Sequence, residues 1–245
     1  MWYNVSMKYI YGPVPSRRLG LSLGVSLTPP KVCNFNCIYC QLGETSEPVG
    51  VRKEYVKVAD ALLELKEWLQ HNTQEAKRPN YITLSGCGEP TLNTGIGEFI
   101  AEVKKITAVP VAVITNASLL NQKEVRQALM GADVILPSLD AVSPDIFQRM
   151  NRPVPGIQID EVIAGLISLR KEFRGKIWLE VMVVRGVNDD LEHIRKLKDI
   201  VEKINPDRIQ INSPVRRTSQ SGVLAADKRK LNKIKEILGD RCEIL

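Results

Sequence analysis

Short apolar segments alternate with amphipathic stretches along most of the chain. Residues 58–72 place Ala61, Leu65, Trp68 and Leu69 at helical spacing, which predicts a helix. The same periodicity predicts further helices over 95–107, 121–131, 143–150, 158–173, 190–204 and 225–239. Apolar runs too short for helices predict strands over 19–28, 81–86, 109–115, 133–139, 177–184 and 208–213.

These elements form six units in which a strand is followed by one or two helices. Strands separated by crossover helices favour a parallel sheet with right-handed connections. Most of these strands lack strict alternation, as expected when both faces are buried. Six units are fewer than the eight of a closed barrel, so we predict the α/β class and a partial, open (β/α)6 TIM-like barrel. In such folds the chemistry lies in the loops that follow the strands.

The length of 245 residues suits one domain. We expect an N-terminal extension over 1–18, a barrel core over 19–213 and a C-terminal loop and helix over 214–245. The first residues lack the basic start and apolar run of a secretory signal, and no window approaches ~18 apolar residues. We therefore expect a cytoplasmic protein without a membrane span.

The formal net charge of +6 permits an anionic partner but does not require one. The basic residues are spread over several short runs, and acidic residues interrupt most of them. Each run is also what a solvated helix face would show. Charge alone therefore leaves a nucleic-acid partner open.

Three of the five cysteines lie within the stretch "KVCNFNCIYCQLG": Cys33, Cys37 and Cys40. Clustered cysteines indicate metal binding in a reducing compartment rather than a disulfide framework. Thiolates suit zinc or an iron–sulfur cluster, and both usually take four protein ligands in structural sites. The other candidate ligands are distant in sequence: His71, His193, Cys87 and Cys242. We expect both histidines at exposed helix positions.

Three thiolates from one loop leave one iron of a four-iron cube open, and an open metal position is typical of catalysis. The C-x3-C-x2-C spacing, with Tyr39 directly before the last cysteine, resembles the cluster loop of the radical S-adenosylmethionine (radical SAM) superfamily. The resemblance implies a radical SAM barrel with a [4Fe-4S] cluster on Cys33, Cys37 and Cys40. It also implies S-adenosylmethionine as cofactor, with Tyr39 among the residues that bind it. The cofactor is cleaved to a 5′-deoxyadenosyl radical that abstracts hydrogen from a substrate. A zinc site or a closed cluster is the alternative.

The resemblance extends along nearly the whole chain. The stretch "LSGCGEPTL" is similar to the Gly-Gly-Glu-Pro loop that binds the methionyl ammonium in the family, and it contains Gly86, Gly88 and Glu89. Glycines let backbone carbonyls approach a small ligand, and a carboxylate matches an ammonium. Cys87 lies within this loop, where we expect a small buried residue; a catalytic thiol is the alternative.

Polar residues follow the next strands as well. By resemblance, four of them contact the ribose and carboxylate of the cofactor: Asn116, Ser118, Ser138 and Asp140. The loop after the fifth strand lies beside the adenosine in the family and contains Val187 and Asn188. An ordinary strand-end role is the alternative for each of these residues.

The stretches "YGPVPSRRLGLSLGVSL" and "INSPVRR" resemble a radical SAM subgroup related to the tRNA wyosine (imidazoguanosine) synthases. They carry two arginine pairs: Arg17 with Arg18, and Arg216 with Arg217. Guanidinium groups bind phosphate or carboxylate in a bidentate manner, so we expect an anionic substrate, with tRNA as the first hypothesis. One arginine of each pair could instead bind a neighbouring helix.

The chain departs from the wyosine synthases because no cysteine precedes Cys33, whereas those enzymes carry additional N-terminal cysteines for a second cluster. The pyruvate-condensing reaction is therefore in doubt. A peptide, a protein or a small molecule remains an alternative substrate. A non-catalytic iron–sulfur electron carrier or scaffold is the alternative of another class. The resemblance also implies a reductant protein of the flavodoxin or ferredoxin type; it leaves the oligomeric state open.

Overall fold

Eight strands lie side by side in chain order within the residues that the computed structural model describes, 7–72 and 79–245. The start of the expected N-terminal extension, residues 1–6, lies outside them. The strands are β1 Ile10–Ser16, β2 Gly20–Val25, β3 Tyr81–Leu84, β4 Val111–Thr115, β5 Val134–Pro137, β6 Lys176–Met182, β7 Arg208–Asn212 and β8 Cys242–Ile244. β1 pairs antiparallel with β2, and β2 through β8 pair in parallel.

Helices connect the parallel strands, as predicted. They are α1 Val58–His71, α2 Ile96–Ile106, α3 Lys123–Ala128, α4 Pro144–Met150, α5 Ile159–Glu172, α6 Leu191–Ile204 and α7 Lys228–Leu238. The first and last strands lie at opposite edges of the sheet, so the barrel is open. The predicted α/β class and partial TIM-like barrel are confirmed.

Two strands were not predicted from the sequence. β1 contains Gly12, Pro13 and Pro15, which are unfavourable in the middle of a sheet. They are tolerated because β1 is an edge strand that pairs only with β2. β8 has three residues, too few to show a periodic pattern, and it extends the sheet beyond the expected C-terminal helix.

Helix packing against the sheet follows the apolar periodicity. On α2, Ile96, Phe99, Ile100 and Val103 are fully buried, at the spacing of one helix face. This face of α2 packs against the sheet. The packing fixes the positions of the strand ends and of the loops that follow them.

One of the two histidines that we expected to be exposed, His193, is buried. His71 is exposed at the end of α1, but His193 is only 6% exposed. His193 lies on the same stripe of α6 as Leu197 and Val201, four and eight residues further on, and this stripe faces the core. Burial lowers the pKa of its imidazole.

Within the described ranges, no helix is both long and apolar enough to span a membrane.

We predict that Phe99→Ala lowers the free energy of unfolding by about 3–5 kcal/mol, because it removes a fully buried aromatic side chain and leaves a cavity. Leu63→Ala is the control, since Leu63 on α1 is 60% exposed, and it should change stability by less than about 0.5 kcal/mol. Chemical denaturation measures both. Equal effects of the two substitutions would contradict the described packing of α2.

Candidate functional site

A cavity of about 690 Å³ extends from the turn between β1 and β2 to the loops that follow the carboxyl ends of the parallel strands. Cys33 and Cys40 of the predicted cluster loop line it. Seven of the predicted cofactor residues line it too: Tyr39, Gly86, Gly88, Glu89, Asn116, Ser138 and Asp140. The fold therefore gathers most of the sequence-predicted residues around one space, although they come from four separate loops.

Three predicted cofactor residues do not line the cavity. Asn188 is fully buried, and its amide donates to the carbonyl oxygens of Asp140 and Met182, both at 2.8 Å. Ser118 is 2% exposed and donates to Asn116 Oδ1 at 2.5 Å. Val187 packs in a separate small apolar cluster. Asn188 and Ser118 instead hold Asp140 and Asn116, which do line the cavity.

The cluster loop is held by backbone bonds to the turn that follows α4. Ile38 N donates to the carbonyl of Met150 at 3.0 Å, and Asn36 N donates to that of Asn151 at 3.1 Å. On the other side, Ser219 Oγ donates to the carbonyls of Cys37 and Ile38, both at 2.8 Å. The loop that presents the cysteines is therefore fixed by segments more than a hundred residues away.

Each of the three cysteines has a nitrogen donor near its sulfur. Asn116 Nδ2 lies 3.7 Å from Cys33 Sγ, and Asn151 Nδ2 lies 3.6 Å from Cys37 Sγ. Lys31 Nζ lies 3.5 Å from Cys40 Sγ. Donors of this kind favour thiolates, the form in which cysteine binds metal.

Burial alone would keep Cys33 and Cys37 protonated. It raises the pKa of Cys33 to about 12 and that of Cys37 above its usual range. A bound iron–sulfur cluster supplies the positive charge that deprotonates such thiols. Three thiolates, each with a nitrogen donor near its sulfur, therefore fit an iron–sulfur cluster. Within the described part of the chain, no three His, Cys, Asp or Glu side chains are grouped to hold a single metal ion.

Glu89 is a buried carboxylate with four hydrogen-bond donors. Its Oε1 accepts from Thr91 N, Thr91 Oγ1 and Thr115 Oγ1, and its Oε2 accepts from Asn116 N at 2.7 Å. Burial raises its pKa, and the donors oppose that shift by favouring the charged form. The carboxylate thus joins the loop after β3 to the end of β4 while still lining the cavity.

The two predicted glycines of this loop are needed for close approach. A Cβ on Gly88 would lie 2.1 Å from the carbonyl oxygen of Val32. Gly86 has φ +108, and a Cβ there would lie 2.4 Å from Ser26 Oγ. Only glycine lets this loop pass so near the cluster loop.

Asp140 is held from three sides. Its Oδ2 accepts from Tyr39 Oη and, at 2.9 Å, from Asn151 Nδ2; its Oδ1 accepts from Met182 N at 2.9 Å. Burial raises the pKa of Asp140 to about 6, although these donors favour the carboxylate. Asp140 therefore connects the cluster loop to β5 and β6.

All four predicted arginines line the cavity, but the two pairs differ in how many partners they bind. Arg18 forms an ion pair with the buried Glu180 of β6, and Arg17 donates to Asn212 Oδ1 of β7 at 2.9 Å. Their partners are strand residues rather than the helices considered from the sequence.

The second pair, Arg216 and Arg217, has fewer hydrogen-bond partners. Arg216 donates to Gln41 Oε1 at 3.1 Å. Arg217 is exposed and has no hydrogen-bond or ion-pair partner among the described residues. The guanidinium groups of this pair are therefore the freer ones at the rim of the cavity.

The two remaining cysteines are not at the cavity wall. Cys87 is half-buried, so the expectation of a buried residue there is wrong; it directly follows Gly86, whose positive φ marks a turn of the backbone. Its carbonyl oxygen accepts from Lys31 N at 2.6 Å. Cys242 is buried on β8, and burial raises its pKa to about 12.

Sequence reasoning missed Lys31, Asn34 and Asn151. Asn34 is fully buried and accepts from Asn116 Nδ2 at 2.8 Å, and the other two donate to cluster-loop sulfurs. Lys31 and Asn34 lie within the quoted cysteine stretch, where their position was the only signal. Asn151 follows a helix 114 residues from Cys37 and gives no signal of its own.

Known proteins similar to this chain point to one family. The family model for the radical SAM superfamily matches residues 27–197. A UPF0026 protein of Synechocystis sp. is 37% identical over 214 residues, which cover 87% of this chain and 78% of that protein. A Brachyspira hyodysenteriae protein named GTPase Obg is 41% identical over 241 residues, 98% of this chain but only 35% of that longer protein.

Solved structures show the same fold at low identity. A radical SAM methyltransferase from Sphaerobacter thermophilus has a TM-score of 0.69 at 16% identity, covering 91% of this chain and 65% of that one. Streptococcus suis SuiB bound to S-adenosylmethionine has a TM-score of 0.65 at 17% identity, covering 91% of this chain and 49% of that one.

The chain belongs to the radical SAM superfamily and to the UPF0026 proteins. It is therefore a radical SAM enzyme, and S-adenosylmethionine and a [4Fe-4S] cluster are the cofactors of that family.

We predict that Gly88→Ala destabilises the protein by about 1–3 kcal/mol and weakens S-adenosylmethionine binding, because the added methyl group collides with the Val32 carbonyl. Gly50→Ala is the matched control: its Cβ would meet only a Val154 methyl group at 3.4 Å, an ordinary contact. Thermal unfolding and equilibrium binding measure the two effects. A Gly88→Ala protein that behaves like the control would contradict the close approach of the two loops.

Proposed function

We propose that this protein modifies an anionic substrate, with RNA, and tRNA in particular, as the leading candidate. When bound, the cluster and S-adenosylmethionine supply a 5′-deoxyadenosyl radical that abstracts a hydrogen atom from the substrate. The observation that carries the proposal is that two of the cluster cysteines, Cys33 and Cys40, line the same cavity as the freer arginines.

The cluster ligands in this proposal are Cys33, Cys37 and Cys40. The loop from Gly86 to Glu89 offers carbonyl oxygens and a carboxylate to the ammonium of the cofactor. Asn116, Ser138 and Asp140 face the same space and suit its polar groups. Ser118 and Asn188 act by positioning Asn116 and Asp140, to which they donate hydrogen bonds, whereas Val187 packs in a separate apolar cluster.

The substrate assignment rests on the arginines at the rim. Arg217 has no partner among the described residues and Arg216 has one, Gln41, so both guanidinium groups keep donors that can bind phosphate or carboxylate. Arg17 and Arg18 are bound to strand residues and, in this proposal, shape the wall while contributing positive charge to it. The resemblance to wyosine-related tRNA enzymes favours RNA over a peptide or a small acid.

The wider setting is proposed on the same basis. Residues 1–245 act as one catalytic domain in the cytoplasm, and a flavodoxin or ferredoxin type of protein supplies electrons to the cluster. The chain spans only part of several relatives, including 35% of the Brachyspira protein, so partners and full activity belong to this proposal.

The function is tested by anaerobic incubation of the reconstituted protein with dithionite, S-adenosylmethionine and candidate substrates. Bulk tRNA, a peptide mixture and small phosphorylated or carboxylated metabolites form the separate arms. Release of 5′-deoxyadenosine that rises with tRNA, together with a mass change in a nucleoside, supports the proposal. A substrate-dependent rise only in the peptide or metabolite arm overturns the RNA assignment.

We predict that replacing Cys33, Cys37 or Cys40 with alanine abolishes the broad charge-transfer absorbance of the reconstituted protein, because each thiolate binds one iron. Cys242→Ala is the matched control, since Cys242 lies on β8 away from the cavity, and it should retain iron and sulfide. Zinc at one equivalent without sulfide after anaerobic purification would contradict the cluster assignment.

We predict that Arg216→Glu with Arg217→Glu lowers the amount of modified substrate formed per 5′-deoxyadenosine released by at least about tenfold, because the rim then repels the substrate. Arg229→Glu together with Lys233→Glu makes the same charge change on exposed positions of α7 and serves as control. For RNA, affinity should also fall steeply with salt, since phosphate contacts release counterions. Binding that is indifferent to salt would count against RNA.

A further inference from the structure

The three cluster cysteines do not have equivalent donors. Neutral amide groups of Asn116 and Asn151 face the sulfurs of Cys33 and Cys37. The sulfur of Cys40 faces the ammonium of Lys31 at 3.5 Å. One corner of the site thus carries a full positive charge within hydrogen-bond reach of the ligand atom.

Lys31 is held in this orientation at both ends. Its backbone has φ +66, a conformation that is uncommon for any residue with a side chain, and its N–H donates to the carbonyl of Cys87 at 2.6 Å. Its Nζ donates to the carbonyl of Gly43 at 2.5 Å. The backbone of Lys31 is therefore fixed by Cys87, and its ammonium is held beside Cys40 by the carbonyl of Gly43.

The charge of Lys31 has no carboxylate partner among the described residues. The residue is half-buried, so solvent screens its charge only in part. An ammonium without a counterion in this position attracts the negative charge of the Cys40 thiolate and of the cluster bonded to it.

We propose that Lys31 is a positioning residue that raises the reduction potential of the cluster. This inference rests on the cluster described above and not on the identity of the substrate. Reduction adds one negative charge to the cluster, and a cationic donor at a ligand sulfur stabilises the reduced form more than the oxidised form. Lys31 makes the electron easier to accept from the reductant, whereas the amides at Cys33 and Cys37 add hydrogen bonds without charge.

The test measures the midpoint potential of the [4Fe-4S]2+/1+ couple by anaerobic dye titration followed by electron paramagnetic resonance. It uses the full chain without substrate or S-adenosylmethionine. Lys31→Met removes both charge and donor, Lys31→Gln keeps a neutral donor, and Lys31→Arg keeps the charge. Lys66→Met on α1 is the matched control, because it removes one exposed positive charge away from the cavity.

We expect a more negative midpoint in Lys31→Met and Lys31→Gln, with iron and sulfide contents equal to those of the wild type. Lys31→Arg and Lys66→Met should stay close to the wild-type midpoint. Equal midpoints in all variants overturn the proposal. Loss of the cluster in both neutral variants, with retention in Lys31→Arg, also overturns it and assigns Lys31 a purely structural role. A wild-type chain that takes up no cluster would instead contradict the proposed function.

Discussion

The site depends on the buried carboxylate of Glu89 and the four donors that surround it. A carboxylate removed from water is costly unless its oxygens are hydrogen-bonded, so the loop after β3 and the end of β4 must stay together. Through Asn116 the same contact reaches the cluster loop, because Asn116 donates to Cys33 Sγ and to Asn34 Oδ1. The need to hydrogen-bond the buried Glu89 carboxylate therefore aligns three parts of the site: the cofactor loop, the end of β4 and the first cluster cysteine.

A second set of contacts joins the end of the chain to its beginning. Ser219, in the loop after β7, holds the backbone between Cys37 and Ile38, and Gln220 N donates to the Ile38 carbonyl. The same loop carries Arg216 and Arg217 to the rim. The segment that carries the freer arginines at the rim is thus also a support of the cluster loop, so the two halves of the site form only when the barrel is assembled.

The sequence predicts the features that depend on neighbouring residues along the chain. It misses the features that depend on tertiary contacts. The six β/α units follow from periodicity, and the cluster cysteines follow from their spacing. β1 escaped detection because prolines are acceptable only on an edge strand, and edge position is a property of the finished sheet. Asn151 escaped because its role depends on α4 placing it beside Cys37. Ser118 and Asn188 have the polar character of site residues, but tertiary structure turns them inward.

Charge is divided across the cavity in a way that suits two different ligands. The inner wall carries the carboxylates Glu89 and Asp140, and the rim carries Arg216 and Arg217. S-adenosylmethionine brings a sulfonium and an ammonium, which carboxylates on the inner wall attract. An anionic substrate would be repelled by that wall and held by the rim. In the proposed function, this separation would place the cofactor next to the cysteines and an anionic substrate at the rim.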